Sequence, residues 1–181
     1  INLSQDDFKL GGSSFAQTLN AIGNEAPTIK SAAFFKKAFN TIQELILDNQ
    51  ILAGHDIGSG GLITTLLEMC FADVNLGAKI DFSVFEEKDI IKYLFAENIA
   101  IVFQAKDDAT IENTLNENGV AFYKLGTVTT EATLNFGPCQ LDIAKYRDIW
   151  FKTSFLLDQK QAKNGTAKER FDNYKNQALQ F

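Results

Sequence analysis

Residues 54–70 read GHDIGSGGLITTLLEMC, and this stretch decides how the rest of the chain is interpreted. It holds the only histidine of the chain, His55, followed by Asp56, a run of small residues and an apolar segment. Glycines at 58, 60 and 61 permit positive φ and let a ligand approach the backbone without interference from a Cβ. The stretch is therefore either a ligand-binding loop at the start of a helix or a tight turn between two core helices.

The first interpretation is a site for an anion and a divalent cation. If a helix begins near Gly61, its free N–H groups point into the loop and favour a phosphate. Asp56 supplies a carboxylate, the ligand that hard cations prefer, and His55 supplies a hydrogen-bond donor or a proton. In the second interpretation Asp56 caps the N–H groups of Ser59 and Gly60, and His55 is a capping or core residue. The stretch contains neither a G-x-G-x-x-G pattern nor a P-loop lysine, either of which would have favoured the first interpretation.

Outside this stretch, helical and strand patterns alternate along the chain. The strongest helix pattern covers residues 34–46, where apolar residues recur at i, i+3, i+4 and i+7. The segment IAIVFQA (99–105) is apolar on both faces, as in a central strand covered on both sides. Glu97 precedes this strand and is predicted to be a surface or turn acid. The other predicted elements are a helix capped by Ser13 or Ser14, a helix entered at Gly61, a strand at 78–85, short acid-led helices in 86–98 and 107–119, two strands around a polar turn in 120–137, and a helix from residue 143.

Composition and charge exclude several classes of protein. The 181 residues suffice for one domain or one domain with an appendage, and 45% are hydrophobic, which predicts a packed core. The net charge of −6 is spread without long runs of one sign, which argues against nucleic-acid and anionic membrane surfaces. No segment approaches the ~20 apolar residues of a membrane helix. Cys70 and Cys139 lie far apart without CxxC spacing, which indicates buried free thiols in a reducing, cytoplasmic environment.

Four motifs occur in a characteristic order: KLGGSSFAQ, AGHDIGSGGLITTLLEMCFA, LFAENIAIVFQA and LGTV. Together they resemble the carboxy-terminal α+β domain of the AIR synthase superfamily. The segment YRDIWFKTSFLLDQKQ (146–161) resembles the helix that follows this domain in the second half of the large, single-chain phosphoribosylformylglycinamidine synthases. The resemblance implies that residues 1–142 form an AIR synthase-related C-terminal α+β domain with a ferredoxin-like mixed sheet covered by helices. It also implies that residues 143–181 form a helix and a linker toward a glutaminase domain.

The resemblance implies part of a ligase that uses ATP, Mg and glutamine-derived ammonia to convert formylglycinamide ribonucleotide to the amidine in purine synthesis. In that family the aspartate matching Asp56 binds Mg, beside an auxiliary nucleotide. Gly58 stands where the family has a nucleotide-contacting serine, and Ser59 where it has a second aspartate. The predicted cofactor contacts are Gly58, Ser59, Gly60 and Gly61, with ATP or ADP and Mg as cofactors of the parent enzyme. No catalytic residue is expected in the chain, and the isolated chain is expected to be inactive.

Expected partners are an AIR synthase-like N-terminal domain and a glutaminase domain of the same parent chain. Without them, exposed apolar surface favours a homodimer.

Two other functions stay open. One is a non-catalytic binding or assembly module whose glycine loop is purely structural. The other is a different AIR synthase superfamily member, such as the monofunctional cyclising synthase, the selenophosphate enzyme or the thiamine phosphate kinase.

Overall fold

The computed structural model describes residues 1–174, which fold into two compact units that are each discontinuous in sequence. The first unit contains residues 1–69 and 81–125, and the second contains residues 70–80 and the chain from residue 126 onward. The helices are α1 (Ser14–Thr18), α2 (Ala32–Leu47), α3 (Gly61–Cys70), α4 (Ile90–Phe95), α5 (Asp108–Glu117), α6 (Ile143–Gln161) and α7 (Thr166–Asn173). The strands are β1 (Ile51–Asp56), β2 (Gly77–Ile80), β3 (Ile101–Ala105), β4 (Gly126–Thr129), β5 (Thr133–Phe136) and β6 (Cys139–Asp142).

The first unit is built around α2, the helix with the strongest sequence pattern. Ser31 caps it by accepting a hydrogen bond from the Phe34 N–H, which satisfies one of the free donors of the first turn. Its buried face packs into a core shared with α5, and that core includes Leu3, Phe34, Ala38, Ile42, Leu45, Ile111, Leu115 and Val120. Each large apolar side chain buried there stabilises the fold by roughly 1.5–3 kcal/mol.

Strand β3 forms a two-stranded sheet with β1 in the first unit. It pairs antiparallel with β1 on one side, with His55 opposite Val102. On its other side the backbone of Ile1 exchanges two 3.0 Å hydrogen bonds with the backbone of Ile101. The strand predicted within residues 99–105 is confirmed as β3, but it belongs to a two-stranded sheet and its residues are half-buried, so the prediction of a central strand covered on both sides is wrong. Strand β1 was not predicted, because residues 51–56 carry no alternation of apolar and polar side chains.

The second unit contains a four-stranded mixed sheet in the order β4-β2-β5-β6. Strand β2 pairs parallel with β5 and antiparallel with β4, so it separates the two strands that the sequence placed around one polar turn. The predicted strand at 78–85 is wrong beyond Ile80. The Asp81 carboxylate there accepts the Ser83 N–H at 2.9 Å and caps a short 3-10 helix at Phe82–Val84.

The helix predicted from residue 143 is confirmed as α6, which is capped by the Asp142 carboxylate. It packs against α7 through the stacked rings of Phe155 and Phe171, with centroids 4.4 Å apart. Part of the predicted linker is thus helical, and the part of it at 175–181 lies outside the described residues. The α+β class with a mixed sheet and helices is confirmed. Within residues 1–174, no helix combines the length and apolarity needed to cross a bilayer.

Both cysteines are free thiols, as predicted. Cys70 is half-buried at the end of α3, and burial raises the pKa of its thiol. Cys139 is exposed, so the prediction that both thiols are buried is wrong for this residue. The reason is its position at the start of β6, the edge strand of the mixed sheet.

Candidate functional site

Asp56, the predicted metal ligand, is the last residue of β1 and points into solvent. Its side chain is 86% exposed. The backbone around it is held firmly, since its carbonyl accepts hydrogen bonds from Thr65 Oγ1 at 3.3 Å and from His55 Nδ1 at 2.6 Å. Pairing with β3 and the contact with α3 therefore fix the backbone of Asp56, while its carboxylate is exposed, with Oδ1 3.6 Å from His55 Nδ1.

His55 joins the end of β1 to α3. A carbonyl oxygen only accepts, so the Nδ1 atom that contacts the Asp56 carbonyl carries a proton. The Nε2 atom lies 3.4 Å from Oε2 of Glu68 on α3, which makes an ion pair when the imidazole is protonated. The histidine thus orients the backbone at Asp56 through contacts within the protein, as expected of a structural residue.

Residues 58–61, the second glycine turn, connect β1 to α3. Gly60 and Gly61 both have positive φ, at 91° and 73°. A Cβ on Gly61 would lie 2.6 Å from the Leu94 carbonyl oxygen and 2.7 Å from Phe95 Cα, so only glycine fits where α3 starts against the end of α4. A Cβ on Gly58 would meet nothing within 4 Å.

The backbone donors of the second glycine turn are partly used inside the protein. The Gly60 N–H donates to Glu97 Oε1 at 2.8 Å, and the Gly61 N–H donates to the Gly58 carbonyl at 3.1 Å. Gly58 and Ser59 are exposed. Of the four predicted cofactor contacts, Gly58 and Ser59 therefore form the accessible tip, and Gly60 and Gly61 form the packed base.

Glu97 follows α4, and its role extends beyond the predicted surface or turn acid. It is half-buried, and the same Oε1 atom that accepts the Gly60 N–H also accepts the Ser14 N–H at 2.8 Å. Burial alone would raise the pKa of Glu97, but the hydrogen bonds from Ser14 and Gly60 outweigh it, so the pKa lies below its usual value. The sequence signal was indirect, since Glu97 lies in the motif LFAENIAIVFQA that also contains strand β3.

The first glycine turn, residues 10–14, lies on the other side of Glu97. Ser13 caps α1 by accepting the Ala16 N–H, and its own hydroxyl donates to the Leu10 carbonyl at 2.7 Å. This confirms the cap at Ser13. The N–H groups of Gly11 and Gly12 donate to the carbonyls of Glu25 and Ile22, at 2.9 and 2.8 Å, so this turn is also fixed by its own backbone.

Sequence reasoning missed a buried carboxylate, Asp6. Its side chain is fully buried and accepts hydrogen bonds from the Thr28 N–H at 2.8 Å and from Lys9 Nζ and Lys30 Nζ at 3.1 Å each. The Thr28 hydrogen bond holds the pKa of Asp6 far below its usual range; burial opposes this, and the two lysines add to it. A lysine three residues after Asp6 was the only local signal.

No group of three or more His, Cys, Asp and Glu side chains in residues 1–174 is arranged to hold a metal ion by itself. Mg²⁺ commonly takes only one or two protein carboxylates and completes its octahedron with water and substrate phosphate. A single exposed carboxylate at Asp56 fits that mode of binding. It does not fit an all-protein metal cage.

Comparison with known proteins agrees with the motifs. Residues 9–136 match the family described as AIR synthase related protein, C-terminal domain. The chain is 33% identical over 174 residues to human phosphoribosylformylglycinamidine synthase, covering 90% of this chain and 13% of that protein. It is 33% identical over 169 residues to an Arabidopsis thaliana protein described as a probable phosphoribosylformylglycinamidine synthase, chloroplastic/mitochondrial, covering 89% of this chain and 12% of that protein.

Among solved structures, PurLQS from Thermotoga maritima has a similar fold, with a TM-score of 0.55 and 15% identity over 74% of this chain and 24% of that chain. This supports the α+β fold. The chain thus spans about an eighth of the length of the two curated relatives that it matches. The resemblance inferred from the motifs is confirmed.

Proposed function

Since the chain belongs to the AIR synthase related protein family, C-terminal domain, we propose that it is part of a phosphoribosylformylglycinamidine synthase. The activity of that enzyme is ATP-dependent formation of the amidine from formylglycinamide ribonucleotide and glutamine-derived ammonia. Within it, residues 56–61 form one edge of an auxiliary nucleotide and Mg site. The observation that carries this proposal is the exposed Asp56 carboxylate, set on a fixed backbone beside the open positions of Gly58 and Ser59.

Each residue of this edge has a distinct part in the proposal. Asp56 supplies the carboxylate oxygen, and a Mg²⁺ held there would neutralise phosphate charge. Ser59 and the Gly58 backbone line the approach, because they are exposed and no Cβ stands at Gly58. His55 and Thr65 keep the Asp56 carbonyl directed inward, so the carboxylate faces outward. These residues bind and orient, and the reacting groups belong to other parts of the enzyme.

The same proposal covers domain organisation and partners. Residues 1–142 form the family domain, and residues 143–181 lead toward a glutaminase domain. An AIR synthase-like N-terminal domain completes the nucleotide site. When these domains are removed, the chain is inactive and pairs with a second copy through exposed apolar side chains, which include Ile149, Trp150, Leu156 and Leu157 on α6. The proposed compartment is the cytoplasm.

The test is Asp56→Asn in the full-length protein that contains this chain. The amide removes the charge that attracts Mg²⁺ and keeps the size of the side chain. We expect ADP with Mg²⁺ to bind at least about tenfold more weakly, because removing even a residue that only supports a metal ligand typically weakens metal affinity by that factor. Glutamine hydrolysis should be almost unchanged. Isothermal titration with ADP and Mg²⁺ measures this.

The matched control is Glu44→Gln, which neutralises an exposed carboxylate on α2. Equal ADP affinity in the Asp56 and Glu44 variants would show that Asp56 does not hold the metal. It would favour the second candidate function, a glycine loop that is purely structural. That alternative has its own support, because the N–H groups of Gly60 and Gly61 are already hydrogen-bonded inside the protein.

A further inference from the structure

Glu97 makes one carboxylate oxygen serve two turns that are 46 residues apart in the chain. Its Oε1 atom accepts the Ser14 N–H and the Gly60 N–H, each at 2.8 Å. Ser14 opens α1 and Gly60 directly precedes α3. A charged acceptor makes such hydrogen bonds shorter and roughly twice as strong as neutral ones. One side chain therefore fixes the distance between the two glycine turns.

Residues 94–97 bring both turns to the end of α4. The ring of Phe95 stacks on Phe15 of α1, with centroids 4.6 Å apart. The missing Cβ of Gly61 lets α3 start within van der Waals distance of the Leu94 and Phe95 backbone. Through these contacts α1 and α3 both pack against the end of α4. The Glu97 carboxylate then orients the turn at the N-terminus of each of these helices.

The next residue, Asn98, fastens the same segment to the start of the chain. Its side chain is 2% exposed, and Nδ2 donates to Ser4 Oγ and to the carbonyls of Asp6 and Asp7, at 3.1–3.2 Å. The backbone that carries Glu97 therefore has little freedom to move. Because its backbone is fixed, the Glu97 carboxylate restrains the Ser14 and Gly60 N–H groups instead of moving with them.

We propose that Glu97 is a positioning residue for the nucleotide site: it fixes the second glycine turn against the first, so that Asp56, Gly58 and Ser59 are presented in one geometry before a ligand arrives. The inference rests on the proposed function of residues 56–61. It assigns no contact with ligand to Glu97 itself. Preorganisation of this kind lowers the ordering cost of binding, so its loss weakens affinity even though no ligand contact is removed.

Hydrogen exchange tests the positioning contact without any ligand. In the full-length protein, Glu97→Ala is expected to speed amide exchange in peptides covering residues 11–16 and 57–62 by about tenfold, as hydrogen-bonded turns open locally. Glu97→Gln keeps an acceptor oxygen without the charge and should give an intermediate rate. The peptide covering α5 should exchange unchanged. If both turns of the Glu97→Ala variant exchanged their amide hydrogens at the wild-type rate, the proposal would be overturned.

Titration with ADP and Mg²⁺ separates positioning from general loss of stability. Glu97→Ala should bind several-fold more weakly and Glu97→Gln less so. Leu115→Ala destabilises a core cluster of the same unit that includes no residue of either turn, and it should bind like the wild type. Unchanged affinity in Glu97→Ala, or an equal loss in Leu115→Ala, would overturn the positioning role. If the wild-type protein binds no ADP with Mg²⁺, the proposed nucleotide site fails, and the exchange rates alone decide whether Glu97 joins the turns.

Discussion

The two glycine turns look alike in sequence, since LGGSS and GSGGL each combine glycine pairs with serine before a helix. In the structure each has at least one glycine where a Cβ would collide with neighbouring atoms and one where a Cβ would meet open space. A Cβ on Gly11 would collide with the Glu25 backbone, and one on Gly61 with Leu94 and Phe95, whereas Gly12 and Gly58 have free space. The shared design is a packed base with an open position beside it.

The turns differ in what surrounds the open position. The first turn is hydrogen-bonded through Gly11 and Gly12 to the loop at residues 22–25, and its Ser13 caps helix α1. The second turn follows a strand end that presents an exposed carboxylate, Asp56, and its Ser59 is exposed. Glycine and serine content therefore predicts a turn, and the neighbouring strand and acid distinguish the turn that we propose binds a ligand.

The largest effect is expected for Gly61→Ala, which tests whether the base of the second turn is set by packing. The new Cβ would lie 2.6 Å from the Leu94 oxygen at a φ of 73°. Overpacking and left-handed strain together cost about 3 kcal/mol of unfolding free energy. Chemical denaturation of the chain measures this. A loss below about 1 kcal/mol would show that α3 and α4 can separate at little cost.

A smaller, pH-dependent effect is expected for Asp6→Asn, which weakens the support of the first turn. Asp6 contacts Thr28 and Lys30, which follow the loop at residues 22–25 in the chain. The first turn is hydrogen-bonded to that loop. Its folded pKa lies below the unfolded value of about 3.9, so its contribution is present above pH ~4 and is lost as pH falls through the folded pKa.

The Asn variant should therefore have a lower denaturation midpoint than the wild type at pH 7, and the difference should shrink toward pH 3. Urea denaturation at both pH values checks this. A difference that stays constant between pH 7 and pH 3 would contradict the assignment to the Asp6 charge.

The smallest effect on stability is expected for Gly58→Ser, which sharpens the contrast within the second turn. Gly58 is exposed, its φ is not positive and a Cβ meets nothing within 4 Å, so the unfolding free energy should change by less than about 0.5 kcal/mol. The serine restores the hydroxyl that the family places there, and ADP with Mg²⁺ should bind several-fold more tightly to the full-length protein. Gly58→Ala is the control, with the same stability and no gain in affinity.

Most helices were predictable because their signals are local. The apolar spacing of α2 and the capping residues Asp107 and Asp142 lie within one or two turns of the elements that they define. Strand β1 and the position of β2 between β4 and β5 were not predictable, because pairing partners far along the chain determine them. The candidate site divides in the same way. Asp56 and the glycine turn could be read from the motif, and the links from Glu97 to Ser14 and Gly60 could not.

The sequence by itself determined the α+β class and the family resemblance, and it located the candidate site at Asp56 and the glycine turn, because residue type and short-range order are enough to specify turns, caps and motifs. Only the tertiary structure decided which glycines carry packing, why Asp6 stays ionised while buried, and that one carboxylate joins two distant turns. The reason is that hydrogen bonds and backbone contacts of this kind depend on distances in space. Residues 14, 60 and 97 have no short-range pattern in common, and folding brings them together.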